Sequence, residues 1–143
     1  MSKPVLWDFE NWFTLMLPPD WTYERDVKAV ILSFYSTAED AKGALQISLH
    51  RRLENKTPVR NFVMDQLERF INQRKINYDI NTKKVMEGPY FAVANASGTD
   101  GEYFIEIWML ANHEKFLHIT YYSKEKTKEL RTAENIVYSI RLH

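Results

Sequence analysis

Along this chain the apolar side chains recur first at every second residue, then about every 3.6 residues, and then at every second residue again. That change limits the folds available to the chain. Over residues 44–51 apolar and polar residues alternate, with Leu45, Ile47 and Leu49 on one side. This is the pattern of a strand with one buried face. Over residues 58–75 the apolar side chains recur at helical spacing instead. A long helix set between groups of strands predicts a sheet with a helix packed on it.

The other segments add five strands and one helix. Strands are predicted at 12–17, 29–35, 84–96 (with a break near Gly88 and Pro89), 102–111 and 115–122, and a second helix follows Ser123. The element order is therefore β-β-β-α-β-β-β-α. Short loops between successive strands favour antiparallel pairing. We therefore expect an α+β fold with a mostly antiparallel sheet and helices packed on it.

One short loop decides the register of the last two strands. A two-residue loop at His113 and Glu114 would place Glu106 opposite Tyr121. A loop one residue longer would change every pairing, because side chains alternate between the two faces of a sheet. Both possibilities are open from the sequence.

Length and charge narrow the class of protein. We expect residues 1–143 to form a single domain. The 19 basic residues equal the 19 acidic ones, which argues against nucleic-acid binding, because phosphate neutralisation dominates that affinity. There is no cysteine and no apolar run long enough to span a membrane. We expect a cytoplasmic protein without a disulfide framework.

No motif of catalysis or cofactor binding is visible. The nucleophile-elbow, P-loop and dinucleotide-binding patterns are absent, and the four histidines have no metal-ligand spacing. Glu102 and Glu106 lie on one strand face but about 13 Å apart in extended chain, too far for a pair of glycosidase carboxylates. We expect no metal and no cofactor, and we favour a protein without enzymatic activity.

Aromatic residues are the one enrichment that could mark a surface. If one sheet face is open, Phe104, Glu106 and Trp108 would form an aromatic–acidic surface on it together with Glu102. Trp7 and Trp21 lie near the chain terminus and a turn, where large side chains often stay accessible. Our five candidates for partner binding are Trp7, Trp21, Phe104, Glu106 and Trp108. If helices cover both sheet faces, the same rings belong to the core.

Two segments carry a resemblance to a known family. The first is Trp12-Phe13-Thr14-Leu15-Met16-Leu17-Pro18-Pro19-Asp20-Trp21, and the second is Ala133-Glu134-Asn135-Ile136-Val137-Tyr138-Ser139-Ile140. They resemble the opening strand and the closing helix of PsbP-like domains, a superfamily that includes the PsbP subunit of photosystem II and the Ran-binding Mog protein. The resemblance implies an α/β/α sandwich and a role as a binding subunit, adaptor or chaperone. No residues here match the Ran-binding or photosystem-binding surfaces.

These observations favour a non-enzymatic protein-binding or adaptor domain whose partner is another protein. The first alternative is a chaperone for a secreted or membrane-inserting protein, which would expose an apolar groove between the sheet and a helix. The second is an enzyme whose site is assembled from distant residues, around His118 and Glu106. The identity of the partner and the oligomeric state are open from the sequence.

Overall fold

The structure is a computed structural model that describes residues 3–125 and 127–143. Over these residues the chain forms eleven strands, two α-helices and one short 3-10 helix. The helices are α1 (Val59–Arg74) and α2 (Glu129–Tyr138), and the 3-10 helix spans Ile80–Thr82. The strands are β1 (Val5–Phe9), β2 (Phe13–Leu17), β3 (Trp21–Asp26), β4 (Ile31–Ser36), β5 (Gly43–Arg51), β6 (Asn77–Tyr78), β7 (Lys84–Glu87), β8 (Ala92–Asp100), β9 (Tyr103–Ala111), β10 (Lys115–Ser123) and β11 (Arg141–Leu142).

The main sheet has eight strands and is antiparallel throughout. Its order is β3-β4-β5-β10-β9-β8-β6, and β7 also pairs with β8. Glu106 lies opposite Tyr121, the register expected for the two-residue loop at His113 and Glu114. A backbone hydrogen bond from Asn112 to Lys115 closes that hairpin.

A second, three-stranded sheet lies outside the main one. Its order is β1-β2-β11, so it joins the first strands of the described chain to the last. The backbone N–H of Met16 in β2 donates to the hydroxyl of Ser139 (2.8 Å), just after α2. The two segments that carry the PsbP-like resemblance therefore contact each other.

The two faces of the main sheet bury different cores. On one face Trp108 and Leu110 of β9 pack with the small sheet and the apolar side of α2. On the other, Ile107 and Met109 pack under Val63, Leu67 and Ile71 of α1. Alternation along β9 thus supplies both cores, which explains why its residues from Ile105 onward are all buried.

The predicted fold class is wrong in its layers. Strands hold 47% of the described residues and helices 21%, so the molecule is β-rich rather than an α/β/α sandwich. One outer layer consists of the small sheet together with α2, whereas the sandwich needs helices alone. The antiparallel pairing itself is observed. The β-β-β-α-β-β-β-α order fails because β1, β3, β6 and β11 are absent from it, and all four are short or have little apolar alternation.

The first helix is found where its periodicity places it, over Val59–Arg74 against the predicted residues 58–75. Pro58 is the capping residue and, within the described chain, no side-chain hydrogen bond caps α1. The carbonyl oxygen of Thr57, just before the helix, accepts a hydrogen bond from Arg52 (2.8 Å). In the described ranges, neither helix is long and apolar enough to span a membrane.

Candidate functional site

The structure places three of the five proposed partner-binding residues in the core. Trp21, Glu106 and Trp108 are all at most 6% exposed. Trp108 and Trp21 belong to the core under the small sheet and α2, so the face expected to be open is covered. The aromatic–acidic surface predicted from the sequence therefore does not exist as an open face.

The other two candidates are only partly covered. Trp7 packs against Phe34 and Tyr23, with ring centroids 5.3 and 5.0 Å away. Phe104 is half-buried at the margin of the same core. For Trp7 and Phe104, partner binding stays a prediction.

The site proposed around His118 and Glu106 is divided by the sheet. Glu106 lies on the face of Trp108, where Asn95 donates to its carboxylate through Nδ2 (3.1 Å). His118 lies opposite Met109 of β9, which belongs to the other core. Because side chains on opposite faces cannot act on one substrate, these two residues form no common active site.

The structure reveals a groove that sequence reasoning did not find. Helix α1 packs mainly over β8 and β9, so beyond its edge the face formed by β10 and β5 is only partly covered. There a groove of about 360 Å³ runs between α1 and the two strands. Its lining residues are His50, Arg51, Arg52, Leu53, Glu54, Phe62, Gln66, Phe116 and His118. A neighbouring depression of about 340 Å³ shares the 51–54 segment and continues to Asn55, His113 and Glu114.

Aromatic rings in mutual contact form the inner wall of the groove. Phe116 lies between His50 (5.5 Å between ring centroids) and His118 (6.4 Å), with its ring nearly parallel to that of His118. From α1, Phe62 meets Phe116 edge-on at 5.2 Å, and Phe70 meets His118 edge-on at 4.4 Å. Cross-strand pairing positions the three rings on the sheet, since His50 lies opposite Phe116 and His118 opposite Ser48.

Arg52 fixes the rim of the groove. Its side chain is fully buried and its guanidinium stacks 4.3 Å from the centre of the Phe62 ring. Nη1 donates to the carbonyl of Asn112 (3.1 Å) and Nη2 to that of Thr57 (2.8 Å). The residue thereby joins the loop before α1 to the β9–β10 hairpin, so the rim is held by charge-assisted hydrogen bonds.

Burial favours the neutral form of both imidazoles of the groove. Burial lowers the pKa of His118 to about 4, and the neighbouring charges of His50 and Arg74 act in the same direction. Burial also lowers the pKa of His50. Among the described residues, Nε2 of His118 is a buried nitrogen without a hydrogen-bond partner.

This arrangement suits binding better than proton transfer or metal coordination. A His with a pKa of about 4 is a weak base near neutral pH, and general catalysis favours a pKa near the working pH. Residues 3–125 and 127–143 contain no cluster of three or more His, Cys, Asp or Glu that could hold a metal. What the groove offers is an aromatic wall, neutral hydrogen-bonding groups and a rigid rim.

The groove was invisible in the sequence because its parts are distant from one another. His50 could be read only as part of a polar strand face, and Phe62 only as part of a buried helical stripe. The pairing of β5 with β10 joins residues more than 60 positions apart. The remaining signal is the Arg51-Arg52-Leu53 sequence directly after a strand, which is too common to identify a site.

Comparison with known proteins gives the fold alone. No family model matches the chain, and no curated protein matches it. A crystal structure of a protein from Bacteroides thetaiotaomicron VPI-5482 is similar to 92% of this chain, with a TM-score of 0.64 and 13% sequence identity. The chain spans 45% of that protein's length.

Proposed function

We propose that the chain is a non-enzymatic protein-binding domain of the adaptor type, and that its binding surface is the groove between α1 and the β5–β10 strands. The observation that carries the proposal is the groove itself, a preformed recess of about 360 Å³ on a sheet face that α1 covers only in part. Pockets of this size, with aromatic walls and a few polar groups, are typical of binding sites.

The rim of the groove has the composition of a protein-contact surface. Leu53 is fully exposed at its edge and the exposed side chains of Arg51 and Glu54 lie beside it. An accessible apolar residue framed by both charges is the arrangement of a hydrophobic contact with a polar rim. The partner chemistry that fits is a polypeptide segment with one apolar or aromatic side chain, flanked by hydrogen-bonding groups.

The mixture of polar and apolar side chains in the lining favours an adaptor over a chaperone. A chaperone groove that accepts varied apolar segments needs a broad apolar lining, whereas here only Leu53, Phe62 and Phe116 are apolar. His50, Gln66 and His118 require hydrogen-bonding partners in defined positions, so the groove selects among segments.

Two finer parts of the proposal come from the sequence. The PsbP-like relationship is supported by segments 12–21 and 133–140, which the Met16–Ser139 hydrogen bond brings together. A cytoplasmic location is supported by the absence of cysteine, which is compatible with a reducing compartment.

The test is selection of partner segments followed by binding measurements on matched variants. Peptides are selected from a phage-displayed random library on the native protein, and their affinities are measured by isothermal titration calorimetry. The variants are Leu53→Asp at the groove rim and Ile80→Asp as the control. Ile80 is also an exposed apolar residue, at 67%, but it follows β6, an edge strand of the main sheet that β8 and β9 separate from β10.

The proposal expects selected peptides to bind the native protein and Ile80→Asp equally, and Leu53→Asp at least tenfold more weakly. A tenfold loss corresponds to about 1.4 kcal/mol, a moderate value for one residue at an interface. Equal affinity for all three proteins would place binding elsewhere and overturn the proposal, as would the failure of any peptide to bind.

A further inference from the structure

The inner end of the groove contains an unsatisfied nitrogen inside an aromatic enclosure. Within the described chain, Nε2 of His118 is buried and has no hydrogen-bond partner. Burying a polar group without a partner costs free energy, so most buried nitrogens in proteins are paired. A ligand that supplies the missing hydrogen bond would regain that cost.

The surroundings of His118 specify the shape of such a ligand. Phe70 stands edge-on to the imidazole, Phe116 lies nearly parallel to it, and Phe62 stands edge-on to Phe116. Aromatic side chains in these offset and edge-to-face arrangements favour a further ring over an aliphatic chain. The Gln66 amide also lines the groove and provides both a donor and an acceptor.

The charged groups around His118 disfavour both cationic and anionic ligands. Among the described lining residues, none supplies a buried carboxylate beside His118 to pair with a cation, because Glu54 lies at the rim and is half-exposed. The charge of the Arg52 guanidinium is already engaged at the rim, because it donates to two backbone carbonyls and lies 3.9 Å from the Glu54 carboxylate, although its Nε has no hydrogen-bond partner among the described residues. A buried ion without a partner would be strongly disfavoured there.

We propose that the inner end of the groove binds one uncharged aromatic ring carrying a hydroxyl or a ring N–H, and that His118 hydrogen-bonds to that group. This inference rests on the proposed function and deepens it, since a tyrosine or tryptophan side chain in the partner segment has this chemistry. A small phenolic or indolic molecule has the same chemistry and is the other source.

A modest rearrangement makes the nitrogen available. Half a turn of the imidazole about its Cβ–Cγ bond exchanges the positions of Nε2 and Cε1 without movement of the backbone. The torsion to a planar ring is broad and two-fold, so this rotation ends in another allowed conformation. The assignment of the two ring edges is itself set by the hydrogen bonds available, and a bound hydroxyl would favour the orientation that faces it.

The test compares ring chemistries on the native protein by nuclear magnetic resonance. The probes are N-acetyl-tyrosinamide, N-acetyl-phenylalaninamide and p-cresol, each titrated while the His118 and His50 ring signals and the Gln66 side-chain amide are followed. We expect the tyrosine amide to shift these signals and to bind about three- to tenfold more tightly than the phenylalanine amide, the ratio expected for one net hydrogen bond. His118→Phe keeps an aromatic ring at this position and should abolish the preference for tyrosine.

Each outcome decides one question. Equal affinity for the tyrosine and phenylalanine amides, or shifts confined to other residues, would overturn the inference. Tighter binding of the tyrosine amide than of p-cresol would assign the ring to a polypeptide, and equal binding of the two would assign it to a small molecule. Should His118→Phe fail to fold, the comparison on the native protein still decides. If the native protein shows no preference for the tyrosine amide but its peptide binding depends on Leu53, this inference fails and the proposed function stands.

Discussion

His118 should make the stability of the protein depend on pH. Its pKa is about 4 in the folded protein against an ordinary value of 6.5, so between these values the unfolded chain binds a proton that the folded protein does not. The contribution of His118 to the free energy of unfolding is therefore fully present above pH 6.5, falls as the pH is lowered towards 4, and does not fall further below that. The total loss in the free energy of unfolding is about 3 kcal/mol. It is measured by urea unfolding at a series of pH values from 7.5 to 3.5.

His118→Phe is the matched variant for this prediction, because phenylalanine fills the same space and does not titrate. Between pH 6.5 and 4, the free energy of unfolding of His118→Phe should fall by about 3 kcal/mol less than that of the native protein. Part of the slope should persist, since burial lowers the pKa of His50 as well. Identical slopes in the native protein and His118→Phe would mean that His118 is accessible to water and to protons.

Val30 stores strain in the turn between β3 and β4. Its φ is +53°, a left-handed conformation that is rare for a β-branched residue. Val30→Gly should relieve this strain and stabilise the protein by about 0.5–1 kcal/mol, after allowance for the entropy of glycine in the unfolded chain. The measurement is urea unfolding.

Val27→Gly is the control for the same turn. Val27 is also exposed, but its φ is not positive, so only the entropic cost of glycine applies and the variant should be slightly destabilised. If both substitutions destabilise equally, Val30 carries no strain.

At the level of elements, Arg52 is the tie between the loop that precedes α1 and the β9–β10 hairpin. Arg52→Met keeps the aliphatic bulk but leaves the carbonyls of Thr57 and Asn112 without their donor. We expect a loss of about 2–4 kcal/mol in the free energy of unfolding. Arg51→Met is the control, because Arg51 is exposed and stacks on the Trp12 ring (5.0 Å), a contact worth about 0.5–1 kcal/mol. Equal losses would mean that the buried guanidinium does not hold the rim.

The small sheet should unfold together with the main one. Leu15 of β2 is completely buried in the shared core, whereas the adjacent Met16 is 39% exposed. Leu15→Ala should cost roughly 2–5 kcal/mol and Met16→Ala less than about 1 kcal/mol. Circular dichroism during thermal unfolding would show one shifted transition for Leu15→Ala. A main transition unchanged by Leu15→Ala would show that the small sheet is a separate unit.

The elements that could be predicted are those whose local pattern agrees with their environment. In β5 apolar and polar residues alternate because one side of the strand faces the core. In α1 apolar residues recur at the helical spacing of about 3.6 residues because one side of the helix lies on the sheet. Strand β3 escaped prediction because it buries Trp21 alone among its six residues, followed by half-buried Thr22 and exposed residues. Helix α2 begins at Glu129 rather than directly after Ser123, because Ser123 is still paired in β10.

At the level of the whole molecule, the layers and the groove depend on contacts that no local pattern records. The small sheet forms because β11 returns from the far end of the chain to pair with β2, and that sheet, with α2, closes the face on which Trp108 had been expected to be accessible. The groove forms because α1 packs mainly on β8 and β9 and reaches β10 through the rings of Phe62 and Phe70, so that β10 and β5 are only partly covered. His118 could be singled out from the sequence as a lone strand histidine, but its aromatic enclosure could not.

The most direct test of the account is a map of where a selected peptide touches the protein, from the backbone amide shifts of the isotope-labelled protein during titration. We predict that the largest shifts fall in residues 50–54, at Gln66 and in 116–118, which surround the groove. Shifts confined to the outer face of the small sheet at Leu6 and Met16, or to the exposed turn at Tyr90 and Phe91, with residues 50–54 and 116–118 unchanged, would contradict the groove as the binding surface.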